Sequence, residues 1–388
     1  MDDALRIGIF FDGTGNNKWN DELINDGSLS NVAKLHTLYL KSGYMALYAE
    51  GVGTEEYTQD HTFSQSQIDY IRSGEDKCEY YKKAGLALGH GSREIVDKKL
   101  EEIDEIISQN RDKDIIVDVF GFSRGAAEAR DFVNKFKENY SDTIFKDSLG
   151  FVGLFDTVAT MGLTGDHNFG YSLDLNESSA QKIVHITSKD ERRKNFPLES
   201  LFTKKGFGLK VNMQEIRGMG VHSDIGGGYG ELDLQKEIVV KEFDEIFYND
   251  RKKRSVLSRI SALKKEAEAK GYVFEYEHKV RPSSLNDWQL QGAFIENKTF
   301  KYGLSNVYLN LMYNNIKASG IDLVDISVLG ETKGGYSNFL EPSSCDKSYV
   351  HVSSSDYWHG HSLGDWLAHH EARSGKRKIY YNNPDNAV

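Results

Sequence analysis

Gly121-Phe122-Ser123-Arg124-Gly125 has the spacing of a nucleophile elbow, in which a serine sits on a tight turn between a strand and a helix. The flanks supply that context. Ile115-Ile116-Val117-Asp118-Val119-Phe120 reads as a buried strand, and Ala126-Ala127-Glu128-Ala129-Arg130 begins a helix. Such a turn lifts the serine hydroxyl above the sheet at the helix N-terminus. The glycines let the backbone turn sharply and let helix and strand approach. The competing reading is a glycine-rich turn whose serine merely caps the helix that follows.

A nucleophilic serine needs a base, an acid that orients the base, and donors for the oxyanion. Histidine suits the base because its pKa near 6.5 lets it take and return a proton close to neutrality. Two pairs follow Ser123 in the order serine, aspartate, histidine. One is Asp224 with His351, and the other is Asp156 with His222. Strand order favours Asp224 with His351, with Asp156 and His222 as the alternative. The N–H of Arg124, after the nucleophile, is one expected oxyanion donor. Gly13 and Thr14, in Asp12-Gly13-Thr14-Gly15, are the others. That turn lacks the Lys-Ser/Thr of a phosphate-binding P-loop and the full dinucleotide fingerprint, so neither cofactor class is expected.

Positioning these residues requires a sheet. Apolar runs at 5–11, 45–50, 115–120, 150–155, 182–186, 215–221 and 348–352 alternate with helical or glycine-rich stretches, the pattern of an α/β protein. Gly, Asp, Ser and His gather at the C-terminal ends of these runs, where open α/β sheets place chemistry. The expected architecture is α/β-hydrolase-like: one domain over 1–388, a mostly parallel central sheet flanked by helices, and a cap or insertion. Residues 54–92 and 231–300 are less regular, and 231–300 is the expected helical cap or insertion within the domain. Within it, Arg251-Lys252-Lys253-Arg254 precedes Val256, Leu257, Ile260 and Leu263, with Lys264 and Lys265 beyond. The apolar residues share one helical face, which reads first as a cap helix packing on the core. A helix lying on an anionic membrane surface is the second reading.

Composition narrows the class. The chain has 388 residues, is 39% hydrophobic and 28% charged, and carries a net charge of −11. That balance is globular and argues against wholesale binding to nucleic acid or anionic membrane. No apolar run approaches the roughly 20 residues of a membrane helix, and no signal peptide is visible at Met1-Asp2-Asp3-Ala4, so synthesis in the cytoplasm is expected. Cys78 and Cys345 make no disulfide framework. His359, His361, His369 and His370 match no metal spacing, and no metal site is expected. Asp190-Glu191-Arg192-Arg193 reads as a solvated or salt-bridged surface run.

Further motifs accompany the elbow in order along the chain. They are Phe11-Asp12-Gly13-Thr14-Gly15-Asn16-Asn17, Tyr48-Ala49-Glu50-Gly51-Val52-Gly53-Thr54, Gly121-Phe122-Ser123-Arg124-Gly125-Ala126 and Phe155-Asp156-Thr157-Val158. Asp190-Glu191-Arg192-Arg193 and Gly220-Val221-His222-Ser223-Asp224-Ile225-Gly226-Gly227-Gly228-Tyr229 complete the series. Together they resemble the α/β-hydrolase domain family that includes type VI secretion lipase effectors of bacteria. The resemblance implies a Ser-Asp-His triad and cleavage of an acyl ester of a membrane glycerophospholipid. It also implies a secretion-apparatus component and a cognate immunity protein as partners, with delivery to the target-cell periplasm and peripheral contact with its membrane. A carboxylesterase or thioesterase on small soluble esters keeps the same machinery. A non-catalytic interaction module keeps only the fold.

Overall fold

Runs of β-branched and aromatic residues build the centre of the sheet, whose inner strands are almost wholly buried. The computed structural model describes residues 4–24, 27–52, 54, 92–145, 147–160, 170–204, 209–230, 235–247, 250–269, 273–280, 288–299, 303–330 and 377–388. Its main sheet contains β1 (Leu5–Phe11), β2 (Met45–Ala49), β3 (Ile115–Phe122), β4 (Leu149–Phe155), β5 (Lys182–Ser188) and β7 (Met213–Gly218), in the order β2-β1-β3-β4-β5-β7. Every neighbouring pair is parallel. A parallel sheet covered on both faces explains the near-continuous apolar runs.

Alternate residues of one strand feed two cores. Ile7, Ile9, Val117 and Val119 pack with α3 (Ser92–Gln109) and α4 (Arg124–Tyr140) through Val96, Ile103, Phe132 and Phe136. Phe10, Phe120 and Phe151 point the other way, toward α2 (Asn31–Lys41) and α7 (Leu304–Ala318). Those three rings stack across β1, β3 and β4, with centroids 5.0 and 5.7 Å apart. Asp118 interrupts the apolar pattern of β3. Its buried carboxylate accepts bonds from Arg6 Nη1 (2.6 Å), Phe151 N (2.8 Å) and Tyr39 Oη (3.3 Å), so the charge is compensated where it lies.

The topology makes an edge. β1 and β2 run outward, and β3 returns to the other side of β1, placing a switch point between β1 and β3. Parallel register brings Phe11 opposite both Ala49 and Gly121, and Phe155 opposite both Phe122 and Ile186. The loops after β1, β3, β4, β5 and β7 therefore open on one edge, the position that α/β sheets use for ligands.

One expectation needs correction, and others lie outside the described residues. The described residues of 231–300, expected as a helical cap or insertion, are not all helical. They form β8 (Gln235–Phe247), α6 (Asp250–Ala269), β9 (Val273–Val280) and β10 (Trp288–Thr299), and the three strands make an antiparallel sheet in the order β8-β10-β9. Alternation such as Val273-Phe274-Glu275-Tyr276-Glu277 has the period of a strand. In α6, Ile260 is buried while Lys264 and Lys265 are exposed, as a packed helix requires. The expected strand at 348–352, the His359–His370 cluster, Cys78 and Cys345 lie outside the described residues. A further parallel pair, β6 (Leu198–Thr203) with β11 (Ile379–Asn382), was not legible in the runs.

Helix α4 sits so close to β1 that a Cβ at Gly125 would lie 2.3 Å from Phe11 O and 2.4 Å from Asp12 O. Both obstacles are backbone and cannot swing aside. Gly125→Ala should therefore destabilise the fold by about 2–3 kcal/mol. Denaturant unfolding measures this, and an unchanged midpoint would contradict the packing described.

Candidate active site

Ser123 lies between β3 and α4 with φ 59° and ψ −122°. A serine in that region is strained by roughly 1–3 kcal/mol, and the surroundings hold it there. Its N–H donates to Phe155 O (3.0 Å), and its carbonyl accepts from Ala126 N and Val158 N (3.1 Å each). The side chain makes no capping hydrogen bond to the helix, against the reading of Ser123 as a plain cap. The result is an elbow: the backbone is pinned from β4 while the hydroxyl is kept off the helix.

The strand beside it ends in a second strained residue. Asp156 has φ 42° and donates its N–H to Ile186 O (2.7 Å). Its carboxylate is fully buried yet well supplied. Oδ1 accepts from Ser188 N (2.8 Å) and Arg377 Nη1 (2.6 Å), and Oδ2 meets Ser188 Oγ (3.0 Å) and His222 Nδ1 (2.6 Å). Burial alone would raise the carboxyl's pKa. The Arg377 charge and the His222 hydrogen bond outweigh it and hold Asp156 well below the usual carboxylate range.

His222 opens the short helix α5 (His222–Gly226). Its ring is held between Phe122 (centroids 4.7 Å apart) and Phe196 (5.0 Å). Arg193 stacks on the Phe196 ring, 3.3 Å from its centroid, and makes a fork onto Glu191 through Nε–Oε1 (3.1 Å) and Nη2–Oε2 (3.0 Å). Glu191 Oε2 also accepts the His222 N–H at 3.2 Å. With Nδ1 committed to Asp156, the buried Nε2 has no hydrogen-bond partner among the described residues. An imidazole fixed in this way can accept a proton at Nε2 while Asp156 steadies the charge.

The charge run 190–193 is salt-bridged as expected, with Arg192 exposed, but Glu191 departs from the surface reading. Glu191 is 1% exposed and supports the histidine loop, and Asp190 Oδ2 accepts from Gly220 N at 2.8 Å. Desolvation pushes the Glu191 carboxyl up, but Arg193 more than cancels it and keeps the group anionic. Sequence alone treats four charges in a row as surface, because charge spacing carries no sign of burial.

The first strand contributes a braced loop. Asp12 Oδ2 accepts from Ser30 Oγ (2.7 Å) and Tyr48 Oη (2.5 Å), and Asp12 Oδ1 accepts the Gly13 N–H at 2.7 Å. Gly13 was expected to offer that N–H to an oxyanion, and here a neighbouring carboxylate occupies it. Burial pushes the Asp12 carboxyl up to about 6. Gly51 N donates to Asn16 O (2.9 Å), and a Cβ at Gly51 would lie 1.7 Å from Gly13 O, so only glycine allows this approach. Arg124 Nε donates to Thr14 Oγ1, tying the elbow to the loop. Burial lowers the Arg124 pKa to about 10, which leaves it cationic at neutrality.

Of the residues expected to act, the structure brings Asp156 and His222 into direct contact. Asp224 is buried, and its Oδ2 accepts from Val221 N (3.0 Å) at the start of α5. His351 lies outside the described residues. Arg377 and Ser188 were not anticipated. Arg377 stands 221 residues from the carboxylate it touches in a Lys-Arg-Lys run that reads as solvent-facing.

The family model for the catalytic domain of type VI secretion Tle1-like phospholipase effectors matches residues 6–138 and 131–246. No match was found among curated proteins. Among solved structures, the chain is similar to the Tle1 effector bound to the VgrG spike of the type VI secretion system. The identity is 21%, the TM-score 0.59, and the match covers 97% of this chain and 94% of that one. It also resembles an uncharacterised protein from Pseudomonas aeruginosa at 26% identity and TM-score 0.38, over 59% of this chain and 42% of that one. The metagenome-derived lipolytic enzymes LipS and LipT give 9% identity and TM-score 0.28, over 57% and 86% of the two chains. The similarity to the Tle1 effector bears on the fold, and the other two are too slight to carry an argument.

The pair's electrostatics can be read directly. Burial lowers the His222 pKa, Asp156 raises it, and Arg193 and Arg377 lower it again, for a net fall below the ordinary histidine value. The ring should therefore be neutral at pH 6.5 and protonate only as pH falls further. The Hε1 resonance of His222 followed by NMR tests this, and a midpoint above 6.5 would contradict the arrangement.

Proposed function

This chain belongs to the Tle1-like family of type VI secretion phospholipase effectors, and we propose that Ser123, His222 and Asp156 carry its ester hydrolysis. The observation that supports this reading best is the pair of His222 nitrogens. Nδ1 is bonded to an ionised, fully buried aspartate at 2.6 Å, and the buried Nε2 has no partner among the described residues. Ser123, on the adjoining strand end, is the nucleophile. Its hydroxyl attacks the ester carbonyl as His222 Nε2 accepts the proton, and Asp156 stabilises the resulting imidazolium.

The tetrahedral intermediate needs donors aimed at its oxyanion. The N–H groups of Thr14 and Arg124 take that role, since the Gly13 N–H is engaged by Asp12 Oδ1. Collapse of the intermediate expels the alcohol, which takes the proton back from His222. Water then attacks the acyl-serine by the same route in reverse. The substrate is an acyl ester of a glycerophospholipid of a bacterial membrane.

The solved Tle1 effector is bound to a VgrG spike, and by that likeness a spike protein is the proposed secretion partner here. A cognate immunity protein and action in the target-cell periplasm complete the reading. No described helix is long and apolar enough to cross a membrane, so contact with the bilayer would be peripheral.

Hydrolysis of fluorescent phospholipid in vesicles separates this assignment from its rival. Ser123→Ala and His222→Ala should each lower kcat by roughly 10⁴-fold or more, and Asp156→Asn by about 10⁴-fold. His351→Ala should keep near-normal turnover. Loss of activity in His351→Ala with retention in His222→Ala would overturn the assignment in favour of Asp224 and His351. Turnover confined to short soluble esters would instead make the protein a carboxylesterase.

A further inference from the structure

We infer that Arg377 is a positioning residue for the acid–base pair, delivered from the segment leading into β11 to lock the Asp156 carboxylate in the orientation His222 requires. The inference rests on the assignment of Asp156 and His222 as that pair.

Arg377 approaches from far along the chain and is held on three sides. Nη1 donates to Asp156 Oδ1 (2.6 Å) and to Ser188 Oγ (2.8 Å), while Nε donates to Phe196 O (2.5 Å). The side chain is 6% exposed. Two residues later β11 begins and pairs in parallel with β6, Ile379 opposite Leu198 and Tyr380 opposite Glu199. The strand is pinned again at its end, where Asn382 exchanges hydrogen bonds with Leu175 N (2.9 Å) and O (2.7 Å). The guanidinium is therefore presented by a fixed element.

The bonds divide the carboxylate between two tasks. Arg377 and the Ser188 N–H saturate Oδ1, and His222 and the Ser188 hydroxyl share Oδ2. A carboxylate free to rotate would offer the histidine either oxygen. Gripped at Oδ1 by a planar donor, it offers one, at 2.6 Å from Nδ1. Phe196 links the two ends of the device. Its carbonyl receives Arg377 Nε, and its ring packs on His222.

The charge has a second effect. The charged groups around His222 are the anions Asp156 and Glu191 and the cations Arg193 and Arg377, while buried His185 lies behind Asp156. A nearby cation disfavours the imidazolium, so Arg377 holds the base neutral and ready to accept a proton. Removing the cation makes His222 easier to protonate, and the acid limb of the kcat/KM profile should move to higher pH.

The test measures kcat, KM and pH profiles of the full chain on phospholipid vesicles and on a soluble short-chain ester, with thermal unfolding recorded for each variant. Arg377→Met should lower kcat on the order of 10-fold or more, leave KM nearly unchanged and shift the acid limb upward. Arg377→Lys keeps the charge without the planar fork, so the limb should stay in place while kcat falls several-fold. In an Asp156→Asn background, Arg377→Met should add no further loss. Equal losses in both backgrounds with an unmoved acid limb would overturn the inference and leave Arg377 a purely structural residue. Wild-type kcat in Arg377→Lys would also overturn it, and that variant decides the matter if the methionine variant does not fold. Wild-type turnover in Asp156→Asn alone would identify the failure as that of the acid assignment itself.

Discussion

The Asp156 carboxylate is the constraint around which the site is arranged. A fully buried anion is costly unless its charge and lone pairs are met. Here it takes hydrogen bonds from a backbone N–H, a serine hydroxyl, an arginine and the histidine. Those partners come from β5, from the segment leading into β11 and from the start of α5. One carboxylate thereby gathers parts of the chain that the sheet alone would leave separate. Asp156 tolerates φ 42° because its N–H bond to Ile186 O fixes the residue at the end of β4.

The sheet supplies the remainder of the geometry. Parallel pairing aligns the ends of β1, β3, β4 and β5, so the Asp12 loop, the serine elbow and the carboxylate share one edge. Two strained residues, Ser123 and Asp156, then sit at adjacent strand ends. Strain of this kind persists when the surroundings over-determine it. Backbone hydrogen bonds of Ser123 with Phe155, Ala126 and Val158, and of Asp156 with Ile186, provide that over-determination. Around the histidine, Phe122 and Phe196 pack on the imidazole, and Arg193 links Phe196 to Glu191.

Local patterns were readable where local physics dictates structure. The elbow needed only its strand, its glycines and its helix, and all lie within a few residues of Ser123. The inner strands of the main sheet were legible because burial on both faces leaves continuous apolar runs, whereas edge strand β7 carries Gln214, Glu215 and Arg217. The acid–base pair was open between two choices, since order along the chain does not encode which carboxylate folds against which imidazole. The 231–300 region was misjudged because the basic, amphipathic segment of α6 dominated its appearance, while its strands carry weaker alternation. Arg377 and Glu191 were missed for one reason. A charged residue in a polar run looks solvated until a distant partner is known. The Gly13 N–H was assigned to an oxyanion because sequence shows the glycine turn without the carboxylate that turns back on it.

In the proposed mechanism one hydroxyl is activated by one imidazole. The most direct measurement is the rate at which a fluorophosphonate probe labels the protein, with the adduct located by peptide mass spectrometry. Labelling should fall on Ser123, and His222→Ala should abolish it while His351→Ala labels at the wild-type rate. An adduct at another residue, or undiminished labelling of Ser123 without His222, would contradict the account.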